Sequence, residues 1–410
     1  MTPTPLKQPH RFRPGIHTKA FNENKLEHYT WMLEHAPVCR SKLFVLPVVT
    51  VATYDGCKQL LSSPLFVRNR KTATGGRAFP VPIPKSLEMM LKGLITQDDP
   101  EHKRQRRLVA KAFTPKTLGT LQAAIDDVVE EHLDRLRGPV DLLEAYCLPI
   151  PSIIIATMLG IEEAEVAQFQ RGLSALSTGM NGLSALRTFV YDMPKLIELT
   201  RGVIHRKTQQ PGDDLLTAMI QAQEDGDRLT EDELVAMTFT LIMAGYETTV
   251  HLIGNAVVTL LRHPDQLAQL LEDPELWGGA VEEVLRVLGP VQATKQMYAT
   301  EDTEIEGYAI PKGTLVIPLL GAANLDPTRF DAPLSFDIHR APNKHVGFGH
   351  GIHHCLGAAL ARMETISALR GFFERFPDLQ LARPASELEL VNMPLWHRYK
   401  HIPVDLGSRV

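Results

Sequence analysis

Apolar residues recur at three- and four-residue spacing through most of the chain between residues 101 and 288, for example at 120–136. This spacing predicts amphipathic helices. Segments rich in Val, Ile and Thr at residues 43–52 and 303–318, with a weaker one at 388–404, predict strands. We therefore expect a mainly α protein with a minor β-sheet contributed by both ends of the chain.

The pattern shows no linker, so one interlocked domain is expected over residues 1–410. The predicted helix-rich core covers about 99–289 and 340–375, and the predicted sheet covers about 40–55, 300–320 and 385–405. Two irregular stretches, 66–97 and 172–193, are too long for simple connections. They are predicted to be lids, binding loops or disordered segments.

Composition narrows the class of protein. With 410 residues, 44% of them hydrophobic and 22% charged, the chain is neither disordered nor collagen-like. The formal net charge of −5 gives no overall attraction to nucleic acid, and no nucleic-acid partner is expected. Four dispersed cysteines without a CxxC pair argue against a disulfide framework and a thiolate zinc site: Cys39, Cys57, Cys147 and Cys355.

The first thirty residues hold four prolines and no continuous apolar run. We therefore expect neither a signal peptide nor a membrane anchor. Together with the dispersed cysteines, which favour a reducing compartment, this predicts a cytoplasmic protein.

Residues 230–262 are predicted to form one long buried helix. Thr230 and Glu233 make a capping box and His263-Pro264 provides the stop, giving about 50 Å at roughly 1.5 Å per residue. Residues 244–249, Ala-Gly-Tyr-Glu-Thr-Thr, place a glycine, a carboxylate and two β-branched alcohols in this apolar helix. These residues form helix poorly, so a distortion is expected there.

Two interpretations of this segment stay open. In one, Glu247 pairs with a distant Arg, and the threonines only pack or bond back to the helix. In the other, a glycine indentation lies beside an acid and an alcohol that pass protons to something bound against the helix.

A second unusual segment, residues 346–357, surrounds Cys355 with four glycines and precedes a predicted helix. Glycines let the backbone approach a flat ligand closely, and a helix N-terminus stabilises a thiolate, which is a metal ligand. One alternative is a zinc site with His350, His353 and His354, whose spacing is tight for tetrahedral coordination. Another is a simple buried hydrophobic cysteine, which the glycine pattern disfavours.

With these segments the sequence resembles the cytochrome P450 superfamily of heme-thiolate monooxygenases, of the soluble bacterial type. Five family elements occur in family order between residues 99 and 362. They are F-x-x-G-x-x-x-C-x-G at Phe348, Gly351, Cys355 and Gly357, A-G-x-[DE]-T-T at Ala244, Gly245, Glu247, Thr248 and Thr249, E-x-x-R at Glu283 and Arg286, the meander Arg340, and H-x-x-x-R at His102 and Arg106.

The resemblance implies a mainly helical heme monooxygenase fold and the cofactor heme b (iron protoporphyrin IX). It implies that Cys355 is the axial ligand of the heme iron and that Glu247 and Thr248 deliver protons. Glu283 and Arg286 are implied to be structural, together with Arg340. Heme contacts are implied for His102, Arg106, Ala244, Gly245, Phe348, His353, Cys355 and Gly357.

One position departs from the family pattern. Family members usually have a propionate-binding Arg where this chain has Met297. Lys295 or Gln296 is a candidate substitute. The alternative is that the propionates rely on the H-x-x-x-R pair and His353.

The implied reaction inserts one oxygen atom of O2 into a small or medium-sized organic substrate. The expected pocket walls are the two irregular stretches, the long helix and residues 291–295 and 391–395. They are rich in Met, Leu, Phe and Pro, which predicts a largely apolar substrate. Five basic residues are candidates to meet a substrate carboxylate, although a solvated loop is the favoured interpretation: Arg68, Arg70, Lys71, Arg77 and Lys85.

Three other functions on this fold stay open. A peroxide-driven hydroxylase, and a non-oxygenating isomerase or dehydratase, are each expected to alter the Glu247–Thr248 pair. A heme-thiolate sensor or carrier needs neither a proton relay nor an electron donor.

The sequence contains no flavin motif and no iron–sulfur motif. Electrons are therefore expected from a separate ferredoxin- or flavodoxin-type donor with its reductase. The cysteine side is expected to face that donor through a basic patch: Lys103, Arg104, Arg107, Lys111 and Arg362.

Overall fold

The computed structural model describes residues 6–76, 88–89, 91–110, 113, 115–162, 165, 169, 188–223 and 226–409. These residues are mainly helical with small β-sheets, as the sequence predicts. The helices are α1 (Lys19–Glu23), α2 (Lys25–His35), α3 (Tyr54–Ser62), α4 (Arg70–Thr74), α5 (Glu101–Ala110), α6 (Pro115–Arg135), α7 (Pro149–Leu159), α8 (Met193–Gln209), α9 (Leu215–Gln221), α10 (Glu231–Leu261), α11 (Pro264–Glu272), α12 (Trp277–Leu288), α13 (Leu320–Ala323) and α14 (Ala358–Arg375).

The strands are short and come mostly from the two ends of the chain. They are β1 (His10–Arg11), β2 (Val38–Leu43), β3 (Leu46–Val51), β4 (Phe66–Val67), β5 (Val140–Asp141), β6 (Met297–Ala299), β7 (Thr303–Ile305), β8 (Tyr308–Ile310), β9 (Leu315–Pro318), β10 (Gln380–Leu381) and β11 (Pro403–Asp405).

The predicted long helix is α10. The Thr230 hydroxyl accepts the Glu233 N–H at 3.3 Å, and the Glu233 carboxylate accepts the Thr230 N–H at 2.7 Å, which completes the capping box. The predicted distortion at 244–249 does not interrupt the helix. Thr248 instead donates its hydroxyl hydrogen to the Ala244 carbonyl one turn back, at 2.5 Å. Tertiary packing outweighs the poor helix propensity of this segment, since α7, α8, α12 and α14 pack around α10.

The largest sheet joins the two ends of the chain. Its strand order is β1-β2-β3-β9-β6-β4, with β3 and β9 parallel and β4 antiparallel to β6. The predicted strand regions 40–55 and 300–320 therefore meet in one sheet.

The third predicted sheet region, 385–405, differs from the prediction. Only β11 is a strand there, and it pairs with β10 and β5 in a separate three-stranded sheet. Residues 390–399 form an irregular hairpin, in which an isolated bridge joins Leu390 and Tyr399 and the Val391 N–H donates to the Arg398 carbonyl at 2.8 Å. The positive φ of Leu395 (63°) turns the chain, so extended pairing stops. We call residues 390–399 the C-terminal hairpin.

Among the helices described, none is long and apolar enough to cross a membrane.

Candidate active site

One face in the middle of α10 borders an accessible space. Ala244 is exposed and Thr248 is half-buried, although this helix crosses the core and is buried from Thr249 to Leu260. Residues four apart lie on one helix face, so these two side chains form a shared ledge. The ledge consists of the Ala244 methyl group and the methyl and hydroxyl groups of Thr248.

Gly245 allows close helix packing. A Cβ at this position would lie 3.2 Å from Cδ1 of Ile155 on α7, which is tighter than ordinary contact. The glycine therefore lets α10 pack closely on α7.

The cysteine loop places Cys355 just before α14. The Cys355 N–H donates to the Phe348 carbonyl at 2.9 Å, which closes the loop, and Gly357 caps the helix. Gly351 has a φ of 70°, and a Cβ there would overlap the Leu61 carbonyl oxygen of α3. Both its backbone conformation and this close approach therefore require glycine.

Burial opposes ionisation of the Cys355 thiol. The side chain has exposed surface, yet the surrounding protein raises its pKa above the ordinary value. The Gly357 N–H and the charges of Arg106 and Arg362 lower the pKa, as the sequence predicts for a helix start, but burial outweighs them. A metal cation bound to the sulfur favours the thiolate, so the site suits a ligand atom better than a free nucleophile.

The structure does not support the zinc alternative. In the described part of the chain, one group of three potential ligand residues has its atoms close enough for a metal, and it is Asp141, Glu144 and His401. The histidines around Cys355 do not converge with its sulfur in this way.

Five basic side chains from separate segments gather beside the cysteine loop. This basic cluster consists of Arg68, His102, Arg106, Lys295 and His353. The His102 and His353 ring centroids lie 4.2 Å apart, and the Nε2 atom of each ring is buried without a hydrogen-bond partner. Arg106 Nη2 donates to the His354 carbonyl at 2.8 Å, which ties the cluster to the loop.

The cluster concentrates positive charge. Burial first, and then the neighbouring charges of Arg68, His102, Arg106 and Lys295, lower the pKa of His353 to about 2. Burial and the charge of Arg68 lower the pKa of Lys295 to about 8. An anion reverses such shifts by favouring the protonated bases, so the cluster fits a ligand with carboxylate groups.

Met297 does not belong to this cluster. It is buried in β6, and its side chain packs in the core near Val316 of β9. Arg68, which the sequence suggested only as a solvated residue or a substrate contact, lies in the cluster instead. The pairing of β4 with β6 brings it there, and sequence reasoning had no sign of that register.

The remaining basic residues of the first irregular stretch separate into two groups. Arg70 and Lys71 lie at the start of α4, with Lys71 exposed. Outside the described residues lie Arg77, Lys85, most of residues 77–90 and all of residues 172–187. Of the other predicted pocket walls, 291–295 and 391–395 are neighbours, because the Gln292 N–H donates to the Leu395 carbonyl at 2.9 Å.

Glu283 lies at the centre of a buried ion-pair network. Arg286 binds both of its carboxylate oxygens, at 2.7 and 2.8 Å, and Arg340 Nε approaches at 3.0 Å. Arg286 also donates to the carbonyl groups of Asn324, Pro333 and Ser335. The network therefore fixes the irregular chain that leads into the cysteine loop.

Glu247 is paired, as one of the two sequence interpretations expects. Its Oε1 lies 2.6 Å from Nη1 of Arg398 in the C-terminal hairpin, and the two side chains are 9% and 11% exposed. Glu247 directly precedes Thr248 of the ledge in the sequence of α10.

The predicted basic patch is only partly exposed. Lys103 and Arg107 on α5 are exposed. Arg104 instead bridges Glu101 and Glu233, and Arg362 binds Glu282 while lying 4.5 Å from the Phe348 ring. Lys111 lies outside the described residues.

Comparison with known proteins gives a consistent result. The family model described as cytochrome P450 matches residues 184–383. Cytochrome P450 107B1 of Saccharopolyspora erythraea is 43% identical over 317 residues, 77% of either chain. The polyketide biosynthesis cytochrome P450 PksS of Bacillus subtilis is 33% identical over 96% of this chain and 98% of its own.

The fold agrees with the sequence comparison. The solved structure of PksS from the Bacillus subtilis bacillaene polyketide synthase superposes with a TM-score of 0.90, at 31% identity over 97% of this chain and 100% of that one. This chain therefore belongs to the cytochrome P450 family, whose members bind heme b, and it is a P450 monooxygenase of the bacterial type.

Proposed function

We propose that this P450 inserts one atom of dioxygen into a largely apolar, small or medium-sized organic substrate. The observation that carries the proposal is the ledge of Ala244 and Thr248, which is accessible although α10 runs through an apolar core. The one carboxylate beside the ledge on α10, Glu247, is already paired with Arg398. The ledge therefore presents methyl groups and a hydroxyl that is bonded to the Ala244 carbonyl, and this surface suits a largely apolar molecule.

The names of relatives support this substrate class. One relative, 33% identical over 96% of this chain, is named 6-deoxyerythronolide B hydroxylase. PksS is named for polyketide biosynthesis. Both names are consistent with oxidation of an organic molecule.

The residues of the site fit heme b. Cys355 offers a sulfur ligand from a glycine-rich loop, and the basic cluster offers cations to two carboxylate groups. The buried, unpartnered Nε2 atoms of His102 and His353 are matched to an anionic oxygen. When bound, the heme supplies an iron atom that activates dioxygen, helped by electron donation from the thiolate.

Glu247 and Thr248 are proposed to supply protons at the ledge. The Thr248 hydroxyl now donates to the Ala244 carbonyl, and rotation about its C–O bond can aim the same hydrogen at the space. Glu247 is held by Arg398. Its carboxylate is proposed to take up and release a proton while it exchanges the Arg398 contact for one with the proton donor or acceptor.

Electrons are proposed to come from a separate ferredoxin- or flavodoxin-type donor with its reductase. Exposed Lys103 and Arg107 on α5 support a docking face for an acidic protein. They lie on the helix that also carries His102 and Arg106, so this face is close to the cysteine side.

The experiment combines a binding screen with labelled dioxygen. Apolar and charged compounds of similar size are titrated while the heme absorption spectrum is recorded, and the binders are turned over with ferredoxin and its reductase. We expect binding by apolar compounds and one labelled oxygen atom in each product. Exclusive binding of charged compounds would overturn the proposed substrate class. Product formation with peroxide, together with none from any ferredoxin or flavodoxin, would overturn the proposed electron source.

A further inference from the structure

The strand pairing next to the basic cluster connects Arg68 with Met297. Strands β4 and β6 are antiparallel, with Phe66 opposite Ala299 and Val67 opposite Tyr298. Continued by one residue, this register places Arg68 opposite Met297. Directly opposite residues point to the same face of a sheet. Arg68 therefore lies across from Met297, the position where family members usually have an arginine.

Arg68 is held in place by its own surroundings. The Asp98 carboxylate accepts the backbone N–H groups of Arg68 and Asn69, at 2.7 and 2.9 Å, which fixes the chain where β4 ends. Its Nη1 donates to the Ile95 carbonyl at 3.0 Å, and its Nε is buried without a hydrogen-bond partner. The guanidinium is thus anchored through Nη1, while its Nε–H remains without an acceptor.

The unused donor lies in the same cluster as the unpartnered Nε2 atoms of His102 and His353. The charge of Arg68 lowers the pKa of His102 and Lys295, although burial is the larger cause in both cases. Of the two nearby acids, Asp98 is committed to the backbone, and Asp99 lies 3.5 Å from Nδ1 of His102, on the other side of the ring from its unpartnered Nε2. Buried cations and N–H groups without a matching anion are costly, so the arrangement is completed by a carboxylate ligand.

We propose that Arg68 binds a heme propionate in place of the arginine that is missing at position 297. The guanidinium enters the cluster from the neighbouring strand, because the register places Arg68 across from position 297. Lys295 lies two residues before Met297 and adds a second, more flexible cation. The inference rests on the proposal that the basic cluster receives the heme carboxylates.

The central experiment exchanges the two residues. Arg68→Met removes the guanidinium, and the double variant Arg68→Met/Met297→Arg returns it to the usual strand. We expect Arg68→Met to lose heme to a heme-scavenging globin about 10-fold faster or more, because a charge-assisted hydrogen bond to the propionate is lost. We expect the double variant to recover most of that loss. Lys71→Met, an exposed cation three residues along, is the matched control with unchanged heme loss.

A second measurement separates a carboxylate contact from a structural role. Wild type and Arg68→Met are each loaded with heme or with its dimethyl ester, in which both propionates are neutral. If Arg68 binds a propionate, the two proteins release the ester at similar rates and differ only with heme. Equal weakening with both ligands would show that Arg68 acts through its Ile95 contact, and the proposal would be wrong.

The wider proposal is tested separately with Arg106→Gln. If Arg106→Gln and Arg68→Met both leave heme loss unchanged, the basic cluster does not hold the propionates at all. If Arg106→Gln speeds heme loss and Arg68→Met does not, the cluster holds them and only the assignment of Arg68 fails.

Discussion

At the scale of single residues, the contact between Glu247 and Arg398 joins the proposed proton donor to the C-terminal hairpin. The hairpin is itself fixed from the N-terminal side, because Lys25 Nζ donates to the Trp396 carbonyl at 2.5 Å and Asn22 donates to the Val391 carbonyl at 2.9 Å. The position of Glu247 therefore depends on residues far away in sequence.

Arg398→Gln is expected to lower both stability and coupling. Removing one partner of a buried pair costs about 3 kcal/mol, because the remaining charge stays desolvated. Glu247 also loses the contact that orients it, so less product forms for each pair of electrons consumed. Chemical unfolding and the product-to-electron ratio measure the two effects. Lys400→Gln, an exposed cation just after the same hairpin, is the control, and equal values for the two variants would contradict this account.

At the scale of elements, the sequence predicted what depends on local pattern. The capping box and the ends of α10 follow from residues within a few positions of one another. The pairing of Glu247 with Arg398, the packing role of Gly245 and the place of Arg68 depend on contacts between distant segments. No single-sequence pattern specifies which strand or hairpin supplies such a partner, so these features needed the structure.

The Glu283 network is expected to contribute strongly to the stability of α12 and of the chain before the cysteine loop. In Glu283→Ala, two arginines stay in place without their carboxylate, and the Arg286 side chain has no exposed surface. We expect a loss of about 3–5 kcal/mol in the free energy of unfolding and little heme-loaded protein. Glu275→Ala, at an exposed position just before the same helix, is the control. Wild-type yield and heme content in Glu283→Ala would show that the network is dispensable.

Helix α14 carries a buried acid that makes stability depend on pH. Burial raises the pKa of Glu364 to about 8 from an ordinary value of 4.5. Between these values the unfolded chain releases a proton that the folded protein keeps, so the free energy of unfolding falls as pH rises from about 4.5 to about 8. We expect Glu364→Gln to remove this part of the slope, on the order of a few kcal/mol. Unfolding curves at pH 5 to 8 test this, and an unchanged slope would refute it.

At the scale of the whole molecule, the sheet that joins both ends of the chain lies beside a helical core that surrounds α10. The basic cluster forms where these parts meet, with Arg68 and Lys295 near the sheet, His102 and Arg106 on α5, and His353 in the cysteine loop. The proposed propionate site thus depends on the assembly of the whole chain.

The electron donor is expected to approach the exposed cations of α5. Charge reversal at Lys103 and Arg107 is predicted to slow reduction by a ferredoxin several-fold at low salt, because electrostatic steering mainly changes the association rate. Added salt is expected to lower the reduction rate of the wild type toward that of the variant. The substrate affinity of both is expected to stay unchanged. Lys195→Glu, an exposed cation on α8, is the control. Reduction rates that respond to neither salt nor charge reversal would place docking elsewhere.

The central claim is that Cys355 ligates the heme iron through a thiolate, and the absorption spectrum of the reduced carbon monoxide complex tests it most directly. A thiolate ligand opposite carbon monoxide gives the red-shifted band from which the family takes its name. We predict that band for the wild type and its complete loss in Cys355→His, with Cys57→Ser, a buried cysteine in α3, retaining it. A wild-type spectrum like that of a histidine-ligated globin, in fully heme-loaded protein, would contradict the account.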